Sequence, residues 1–383
     1  MAERAVDVAI VGAGPVGMVT ALELVARGIS VTVLERRRAP RDSSRSIGIH
    51  PPALDVLERL GCASEVIAAG VRVREGEVRC GGRVLGGLAF RSASPRHPFI
   101  LAVPQHVTER MLRARLIERS PGALVAGCEV TGLERRGDGV RLATTQAPVD
   151  AAWVIGADGP RSIVRALGGF AVRRREYPDR YVMGDAVDEA GLGERAFLFL
   201  EGDGVVESFP LPGGRRRWVV HRGADRTPVD ASGLAELVGR RAGVDLDPAT
   251  IAGVSAFGVH HVWSAGTVRD HVLLVGDAAH EISPIGGQGM TLGWLDATEV
   301  AAALASVLAG GSRDALAAYE ARAAQRQRMT ARQAFFNTAM GRPRRGAVLA
   351  ARNTVVRAIA HPRFERRLAA AFTMAAPAAT VRA

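Results

Sequence analysis

A glycine-rich turn near the start of the chain, Gly12-Ala13-Gly14-Pro15-Val16-Gly17, constrains the fold more than any other feature. It follows an apolar, β-branched run over residues 6–11 and leads into residues 16–27, whose spacing predicts a helix that stops at Gly28. In such a turn the first glycine permits a sharp change of direction. The second lets the backbone approach a pyrophosphate, and the third lets helix and strand pack closely. The pattern predicts a dinucleotide site at the N-terminus of the helix.

A second buried strand is predicted over residues 29–34, and it ends in Glu35. A carboxylate at that position can accept hydrogen bonds from the diol of a ribose. The succession of strand, turn, helix, strand and acid supports a bound dinucleotide but does not distinguish FAD from NAD.

The formal net charge of +11 suggests a nucleic-acid partner, but the distribution of the charge weakens that interpretation. All 50 basic residues are arginine, and 13 of them lie between Arg322 and the C-terminus, where Glu365 is the one acid. The rest of the chain is close to neutral, and aromatic residues make up only 5%, too few for a base-stacking surface. We therefore expect no nucleic-acid partner. The basic tail is either a solvated helical surface or a contact for a membrane surface or an anionic partner.

Cysteine spacing and hydropathy indicate the cellular compartment of the protein and whether it contains a membrane span. Cys62, Cys80 and Cys128 are widely spaced and show no disulfide or metal-ligand pattern. The first residues lack the architecture of a signal peptide, and no uninterrupted apolar run is long enough to span a bilayer. We expect a cytoplasmic protein, monomeric or homodimeric, with no metal site and no transmembrane segment.

Two kinds of pattern alternate along the chain. Short alternating stretches bounded by Gly and Pro predict antiparallel sheet, whereas strands followed by helices predict an α/β unit. The expected fold class is α/β, with a Rossmann-like nucleotide-binding domain, an interleaved β-rich substrate domain and a helical C-terminal tail. The expected bounds are 1–70, 101–180 and 266–311 for the nucleotide-binding domain, 71–100 and 181–265 for the substrate domain, and 312–383 for the tail.

Two further segments identify the nucleotide. Residues 154–165 read Val-Ile-Gly-Ala-Asp-Gly-Pro-Arg-Ser-Ile-Val-Arg, and residues 272–291 contain Gly-Asp-Ala-Ala-His at 276–280 and Ser-Pro-Ile-Gly-Gly-Gln-Gly-Met-Thr at 283–291. Together with the glycine-rich turn, they make the chain resemble the FAD-dependent aromatic hydroxylases of the p-hydroxybenzoate hydroxylase type, the group A flavin monooxygenases. The resemblance covers about residues 5–310 and implies that the nucleotide-binding domain binds FAD.

The resemblance also implies which residues hold the cofactor. Arg45 would reach back to the phosphates, Asp277 would hydrogen-bond the ribityl chain, and Pro284 would lie beside the isoalloxazine. Family members often carry Asn where Thr291 stands, but that contact is usually made through the backbone. The residues implied to bind FAD are Gly12, Gly14, Pro15, Gly17, Glu35, Arg36, Arg45, Gln105, Val130, Asp158, Gly276, Asp277, Pro284, Gly287, Gln288, Gly289, Met290 and Thr291.

The third motif also has a physical rationale of its own. Its glycines lead into a helix predicted over residues 288–308. The free N–H groups and positive dipole end of that helix would face the flavin pyrimidine ring, where reduced flavin carries its negative charge. This arrangement stabilises the anionic reduced flavin, the form that reacts with oxygen.

No motif identifies the residues that bind the substrate. Tyr181, Trp218, His260 and Pro284 are the candidates for the pocket, and His280 is expected to be structural rather than a proton-transfer base. The sequence has no Ser/His/Asp constellation and no CxxC pair, so it offers no support for hydrolysis or metal chemistry.

The resemblance implies a monooxygenase in which NAD(P)H reduces FAD and O₂ forms a flavin C4a-hydroperoxide. Oxygen transfer to an aromatic or polyketide-like molecule would follow, as hydroxylation, epoxidation or Baeyer–Villiger insertion. A single glycine-rich turn leaves no separate Rossmann domain for NAD(P)H, which would bind transiently. Two alternatives stay open, an FAD-dependent reductase or dehydrogenase of the prenyl-saturase kind and a non-oxidative flavoprotein. The complete Asp158-Gly159 segment and the long β-rich middle favour the monooxygenase.

Overall fold

Strands and helices alternate in the first part of the chain, strands dominate its middle, and helices form its end. The computed structural model describes residues 4–40 and 46–374. The strands are β1 Arg4–Val11, β2 Val31–Glu35, β3 Gly48–Ile49, β4 Val71–Val73, β5 Glu75–Cys80, β6 Arg83–Ala89, β7 Ile100–Ala102, β8 Leu124–Ala126, β9 Val130–Arg136, β10 Gly139–Thr144, β11 Val149–Gly156, β12 Val172–Val187, β13 Ala196–Glu201, β14 Gly204–Leu211, β15 Arg215–Gly223, β16 Ala252–Ser264, β17 Val268–Arg269, β18 Val272–Leu274 and β19 His280–Glu281. The helices are α1 Pro15–Val25, α2 Pro51–Arg59, α3 Ala63–Ala68, α4 Gln105–Arg119, α5 Ile163–Leu167, α6 Ala231–Ala242, α7 Gly289–Leu308, α8 Asp314–Gly341, α9 Gly346–Ile359 and α10 Glu365–Thr373.

The first sheet has the strand order β17-β18-β11-β1-β2-β8 and is extended beside β11 by the hairpin β9–β10. Its central strands are parallel, with Val8 opposite both Val31 and Trp153. They are continuous apolar runs, as expected of strands that are covered on both faces. Helices α1, α4 and α7 cover one face, and the β9–β10 hairpin packs against the other, so the strand ends that carry the glycine-rich turn are fixed by a buried core.

The second sheet has the order β19-β16-β12-β15-β14-β13-β5-β6. The alternating patterns correctly predicted antiparallel pairing for most of it, but β5 pairs with β13 in parallel, because a long excursion through the first sheet separates these two strands. Helix α6, which the sequence analysis did not anticipate, packs on one face through Leu234 and Val238. We call the opposite face the inner face; its apolar residues are Tyr181, Met183, Leu200, Val205, Val219 and Val259.

The inner face is directed to the loop that precedes α7. Ile285 of that loop packs against the inner face, as does Val356 of α9. A small sheet of β3, β7 and β4 lies against β14 at the same side. The second sheet begins at Val172, nine residues before the boundary expected for the substrate domain, since β12 pairs with β16 from its first residue. The division into domains stays a prediction.

Helix α7 is long and apolar enough to cross a membrane by length and composition, which the sequence analysis did not anticipate. It packs between α1 and α8, and 56% of its most apolar stretch is buried. Trp294 and Leu304 are completely enclosed. A core position accounts for the apolar composition of this helix.

Candidate functional site

The glycine-rich turn has the backbone geometry that its sequence predicts. Gly12 has φ +106°, and a Cβ there would lie 2.5 Å from the Ala157 carbonyl oxygen. A Cβ on Gly17 would lie 2.0 Å from the Gly12 oxygen, so α1 can approach β1 only with glycine at this position. Gly14, which precedes α1, has open space beside its Cα, and Pro15 is the first helical residue. These contacts leave a free approach to the N-terminus of α1, as a bound pyrophosphate requires.

Glu35 lies at the end of β2, next to this turn. Its carboxylate accepts hydrogen bonds from the Ala13 amide at 2.9 Å and from the amide and Nε of Arg37, both at 2.9 Å. Burial alone would raise the pKa of Glu35, but these hydrogen bonds outweigh it and lower the pKa below its usual value. The ionised carboxylate and its neighbours line a small pocket beside the glycine-rich turn, where the resemblance places the adenosine end of FAD. The lining residues are Ala13, Glu35, Arg37, Ala39, Pro40, Glu109 and Arg113.

The other residues expected near the adenosine end of FAD differ in their exposure and in their hydrogen-bond partners. Arg36 is exposed, and Arg37 takes the place beside Glu35 that we had expected Arg36 to occupy. Arg45 lies outside the described residues. Gln105 begins α4 and donates to Glu109 Oε1 at 2.7 Å. Val130 begins β9 and is buried, so only its backbone is available to a ligand.

The second motif packs directly behind the first. Asp158 follows β11, and its Oδ2 accepts hydrogen bonds from the first two amides of α5, those of Ile163 at 2.7 Å and Val164 at 3.2 Å. Its Oδ1 is buried and has no partner within the described chain. Arg165 of the same motif donates to the Ala278 carbonyl at 2.9 Å. This bond ties the second motif to the third.

The third motif begins directly after β18. Gly276 has φ +58° and lies against Val16 of α1, and Asp277 follows in a short helical turn. The Asp277 side chain is exposed, yet the protein packed around it and the nearby Glu281 raise its pKa to about 6. Pro284, seven residues later, is also exposed. A carboxyl in this position can accept hydrogen bonds from the hydroxyls of a ribityl chain.

Residues 284–288 form the loop that leads into α7, which we call the 284–288 loop. Gly286 and Gly287 have φ values of +98° and +67°, and Gln288 is the residue before the helix. The first helical hydrogen bond runs from Leu292 to the Gln288 carbonyl, so the amides of Gly289, Met290 and Thr291 precede the helical pattern. They are available to an anionic group at the positive end of the dipole of α7.

Two side chains hold this loop, and the first of them lies outside the three motifs. His50, before α2, is buried and places Nε2 3.2 Å from the Gly286 carbonyl oxygen. Burial lowers the pKa of His50 to about 4, so the ring is neutral at pH 7. Its amide also lies 3.4 Å from the Thr291 hydroxyl. On the other side of the loop, the side-chain amide of Gln288 donates through Nε2 to the carbonyls of Ala371 at 3.2 Å and Phe372 at 3.1 Å.

A fit to the flavin end of FAD is indicated by polar atoms that the protein leaves unpaired. The Oε1 of Gln288 and the Nδ1 of His50 are buried without a hydrogen-bond partner within residues 4–40 and 46–374. Both residues border the 284–288 loop, where the resemblance places the isoalloxazine. The polar edge of a flavin would supply the missing partners.

His280, expected to be structural, is part of a buried ionic cluster. Its Nε2 lies 2.5 Å from Asp296 of α7, and Arg326 of α8 donates to the same carboxylate at 3.0 Å. Burial opposes the charge on His280, but Asp296 outweighs it and raises the pKa. The cluster joins the third motif to two helices, which agrees with a structural role.

The pocket candidates on the second sheet divide between its faces. Tyr181 lies on the inner face, fully buried, stacked on Phe257 at 5.4 Å. Trp218 does not share this face, because strand alternation places it on the opposite one, where it packs on Phe199 beneath α6. His260 also alternates away from its inner-face neighbour Val259, and it pairs with Glu281 at 2.6 Å.

One group of side chains outside the cofactor cleft has the composition of a metal site. Asp55, Glu58 and His97 bring their ligand atoms within 4.8 Å of one another. His97 lies 3.2 Å from Glu58, and Arg96 lies 3.5 Å from the same carboxylate. These ion pairs account for the cluster.

Comparisons of the sequence with known proteins place these motifs in a family. Residues 5–334 match the family model described as FAD binding domain. The 6-methylpretetramide 4-monooxygenase of Streptomyces rimosus is 33% identical over 327 residues, which are 81% of this chain and 57% of that protein. The chain spans 57% to 63% of the length of the first curated relatives that it matches.

Solved structures show the same architecture. The p-nitrophenol 4-monooxygenase of Pseudomonas putida superposes with a TM-score of 0.88 at 24% identity, covering 96% of this chain and 98% of that one, which shows the fold. An anhydrotetracycline hydroxylase from Streptomyces rimosus superposes with a TM-score of 0.81 at 29% identity, covering 97% of this chain and 76% of that one. The chain therefore belongs to the FAD binding domain family, as the three motifs and their resemblance to the FAD-dependent aromatic hydroxylases predicted.

Proposed function

We propose that this protein is an FAD-dependent monooxygenase that uses NAD(P)H and O₂ to hydroxylate an aromatic or polyketide-like small molecule. The observation that carries the proposal is the position of the inner face. Its apolar side chains pack toward Ile285, within the loop whose neighbouring atoms fit a flavin. A flat, apolar molecule held there would lie against the reactive edge of the cofactor.

The relatives support this reading of the inner face. The curated relative from Streptomyces rimosus is named as a monooxygenase of 6-methylpretetramide. The relative of solved structure is named as a hydroxylase of anhydrotetracycline. Both names describe oxygenation, one as a monooxygenase and one as a hydroxylase. Hydroxylation is therefore favoured over epoxidation or Baeyer–Villiger insertion.

When bound, FAD supplies the redox chemistry that passes electrons from NAD(P)H to O₂. The chain's own residues would prepare the site for it. The N-terminus of α7 would stabilise negative charge on the reduced cofactor through the amides of Gly289 and Met290. The apolar side chains of the inner face would exclude water from the substrate.

A cytoplasmic location is part of the proposal. Cys62, Cys80 and Cys128 are all free and buried, which suits a reducing compartment but does not require one. A redox enzyme that draws on NAD(P)H also depends on the intracellular supply of that donor.

The experiment is a screen of nitrophenols, hydroxylated naphthalenes, anthraquinones and tetracyclic polyketides for stimulated NAD(P)H oxidation by the purified yellow protein. We expect at least one polycyclic phenol to stimulate oxidation above the basal rate. Asp277→Ala, expected to lose FAD, is the matched control and should show no stimulation. Turnover of a compound without NAD(P)H or O₂ would favour the non-oxidative flavoprotein. Loss of a substrate double bond with no O₂ uptake would favour the reductase.

A further inference from the structure

Two polar groups stand unpartnered on the inner face. Glu207 of β14 is only 7% exposed, and its carboxylate makes no side-chain hydrogen bond or ion pair within residues 4–40 and 46–374. The Tyr181 hydroxyl is completely buried, and it too has no partner within the described ranges. An unsatisfied buried carboxylate or hydroxyl is costly, and most such groups in folded proteins are paired. Both therefore call for a partner that the chain does not supply.

The register of the sheet places both groups on the same surface. Tyr181 is opposite His221, and Met183 is opposite Val219, which in turn is opposite Glu207 on the next strand. Residues directly opposite one another point to the same face. Glu207 and Tyr181 are therefore diagonal neighbours across β15, on the face that packs against Ile285 of the 284–288 loop.

The nearby charges are already engaged with one another. His221 lies 3.0 Å from Asp179, and Arg342 donates to the same carboxylate at 2.7 Å. Arg217 pairs with Asp185 at 2.7 Å. Without a countercharge, burial raises the pKa of Glu207 to about 7. The Glu207 carboxyl therefore stands apart from the ion pairs that engage its neighbours.

We propose that Glu207 accepts a hydrogen bond from a ring hydroxyl of the substrate and that Tyr181 donates one to an oxygen elsewhere on the same molecule. This assignment rests on the proposed function and names its substrate class as a polycyclic phenol that also carries a carbonyl oxygen. The apolar residues of the inner face pack on the rings, and the two polar groups orient them. At pH 8, above its pKa of about 7, the Glu207 carboxyl is mostly ionised and accepts without donating, so an O-methyl ether in place of the hydroxyl loses its partner and leaves Glu207 unpaired.

The test measures binding to the oxidised holoenzyme, so that it does not depend on turnover. The probes are two matched pairs, 2-naphthol with 2-methoxynaphthalene and 2-hydroxyanthraquinone with 2-methoxyanthraquinone, titrated against the visible absorbance and fluorescence of the bound FAD. The variants are Glu207→Gln, Glu207→Leu and Tyr181→Phe. Glu194→Gln, which changes an exposed carboxylate on the preceding loop, is the matched control.

We expect the wild-type protein and Glu194→Gln to bind the hydroxylated member of each pair about ten-fold or more tightly than its ether, as hydrogen bonds to a charged group allow. Glu207→Leu should bind both members equally, and Glu207→Gln should lose most of the preference. Tyr181→Phe should weaken only the anthraquinone pair, because the naphthalenes lack a carbonyl.

Equal affinity for phenol and ether in the wild type, no binding of any probe, or a preference that persists in both Glu207 variants would overturn the assignment. The result is separable from the proposed function. A hydroxyl preference that disappears in Glu207→Gln supports the assignment even if no product is oxygenated. Oxygenation that is unchanged in both Glu207 variants overturns the assignment and leaves the monooxygenase proposal intact.

Discussion

The Nε2 of His50 lies 3.2 Å from the carbonyl oxygen of Gly286 and joins the start of α2 to the loop that precedes α7. The ring is neutral at pH 7, because burial lowers its pKa to about 4, so Nε2–H donates to the carbonyl. The bond fixes a glycine with φ +98° in the 284–288 loop, where the resemblance places the isoalloxazine.

His50→Ala should therefore weaken FAD binding. Loss of one neutral hydrogen bond of about 1 kcal/mol corresponds to a five- to ten-fold higher dissociation constant for FAD. The measurement is a titration of apoprotein with FAD, followed by flavin fluorescence. His361→Ala, at an exposed position between α9 and α10, is the control and should bind FAD as the wild type does. Unchanged affinity in His50→Ala would show that the loop keeps its conformation without this bond.

Gly14 and Gly17 of the glycine-rich turn should respond differently to substitution by alanine. A Cβ on Gly17 would lie 2.0 Å from the Gly12 oxygen, so Gly17→Ala should lower the free energy of unfolding by about 3 kcal/mol or more. Gly14 has φ −73° and open space beside it, so Gly14→Ala should fold normally. The added methyl should nevertheless obstruct the phosphates and reduce the FAD content. Thermal denaturation and flavin absorbance separate the two effects, and a stable Gly17→Ala protein would contradict the packing described.

The stability of the protein should depend on pH through Glu207. Because burial raises its pKa from 4.5 to about 7, the folded state binds a proton that the unfolded state releases between these values. The contribution of Glu207 is therefore most favourable below pH 4.5 and is lost as the pH rises through 7. At about 1.4 kcal/mol per pKa unit the loss is roughly 3 kcal/mol. Glu207→Leu should remove it.

Urea denaturation of the wild type and of Glu207→Leu at pH 5 and pH 8 measures this difference. The variant should gain stability relative to the wild type at pH 8 and much less at pH 5. Glu194→Gln provides the control at both values. An equal effect of Glu207→Leu at both pH values would mean that the carboxyl titrates normally.

The Gln288 side chain connects the 284–288 loop to the C-terminal helix α10. Its amide donates to two carbonyls at the end of that helix, and Ala369 of α10 is fully buried beside Val73 and Phe90. Gln288→Ala should loosen α10 and speed proteolytic cleavage between α9 and α10 several-fold. Gln146→Ala removes a comparable bond to the Gly127 carbonyl at the surface and should have no such effect. Equal cleavage rates would show that packing alone holds α10.

The sequence was informative where local geometry determines the outcome. The close approach of α1 to β1 requires glycine at positions 12 and 17. The turn, the strand before it and the helix after it could therefore be predicted from the spacing of three glycines. Glu35 was predictable because the end of a second parallel strand lies beside the first. The structure adds the bond from Arg165 to Ala278, which joins two motifs more than 100 residues apart.

Other features depend on tertiary contacts that a single sequence does not show. Trp218 and Tyr181 have similar alternating neighbours, and only the packing of α6 on one face distinguishes the core residue from the inner-face residue. Arg36 and Arg37 differ by one position, and strand geometry selects Arg37 to pair with Glu35. Glu207 could have been singled out from the sequence as a lone acid between Val206 and Ser208 in a mostly apolar strand.

The central claim is that the protein transfers an oxygen atom from O₂ to its substrate. The most direct measurement is the mass of the product formed from a stimulating phenol with NAD(P)H under ¹⁸O₂, compared with a reaction in H₂¹⁸O under ordinary O₂. The account predicts one ¹⁸O atom per product molecule from ¹⁸O₂ and none from water. A product that forms with NAD(P)H but carries no label from ¹⁸O₂ would contradict it.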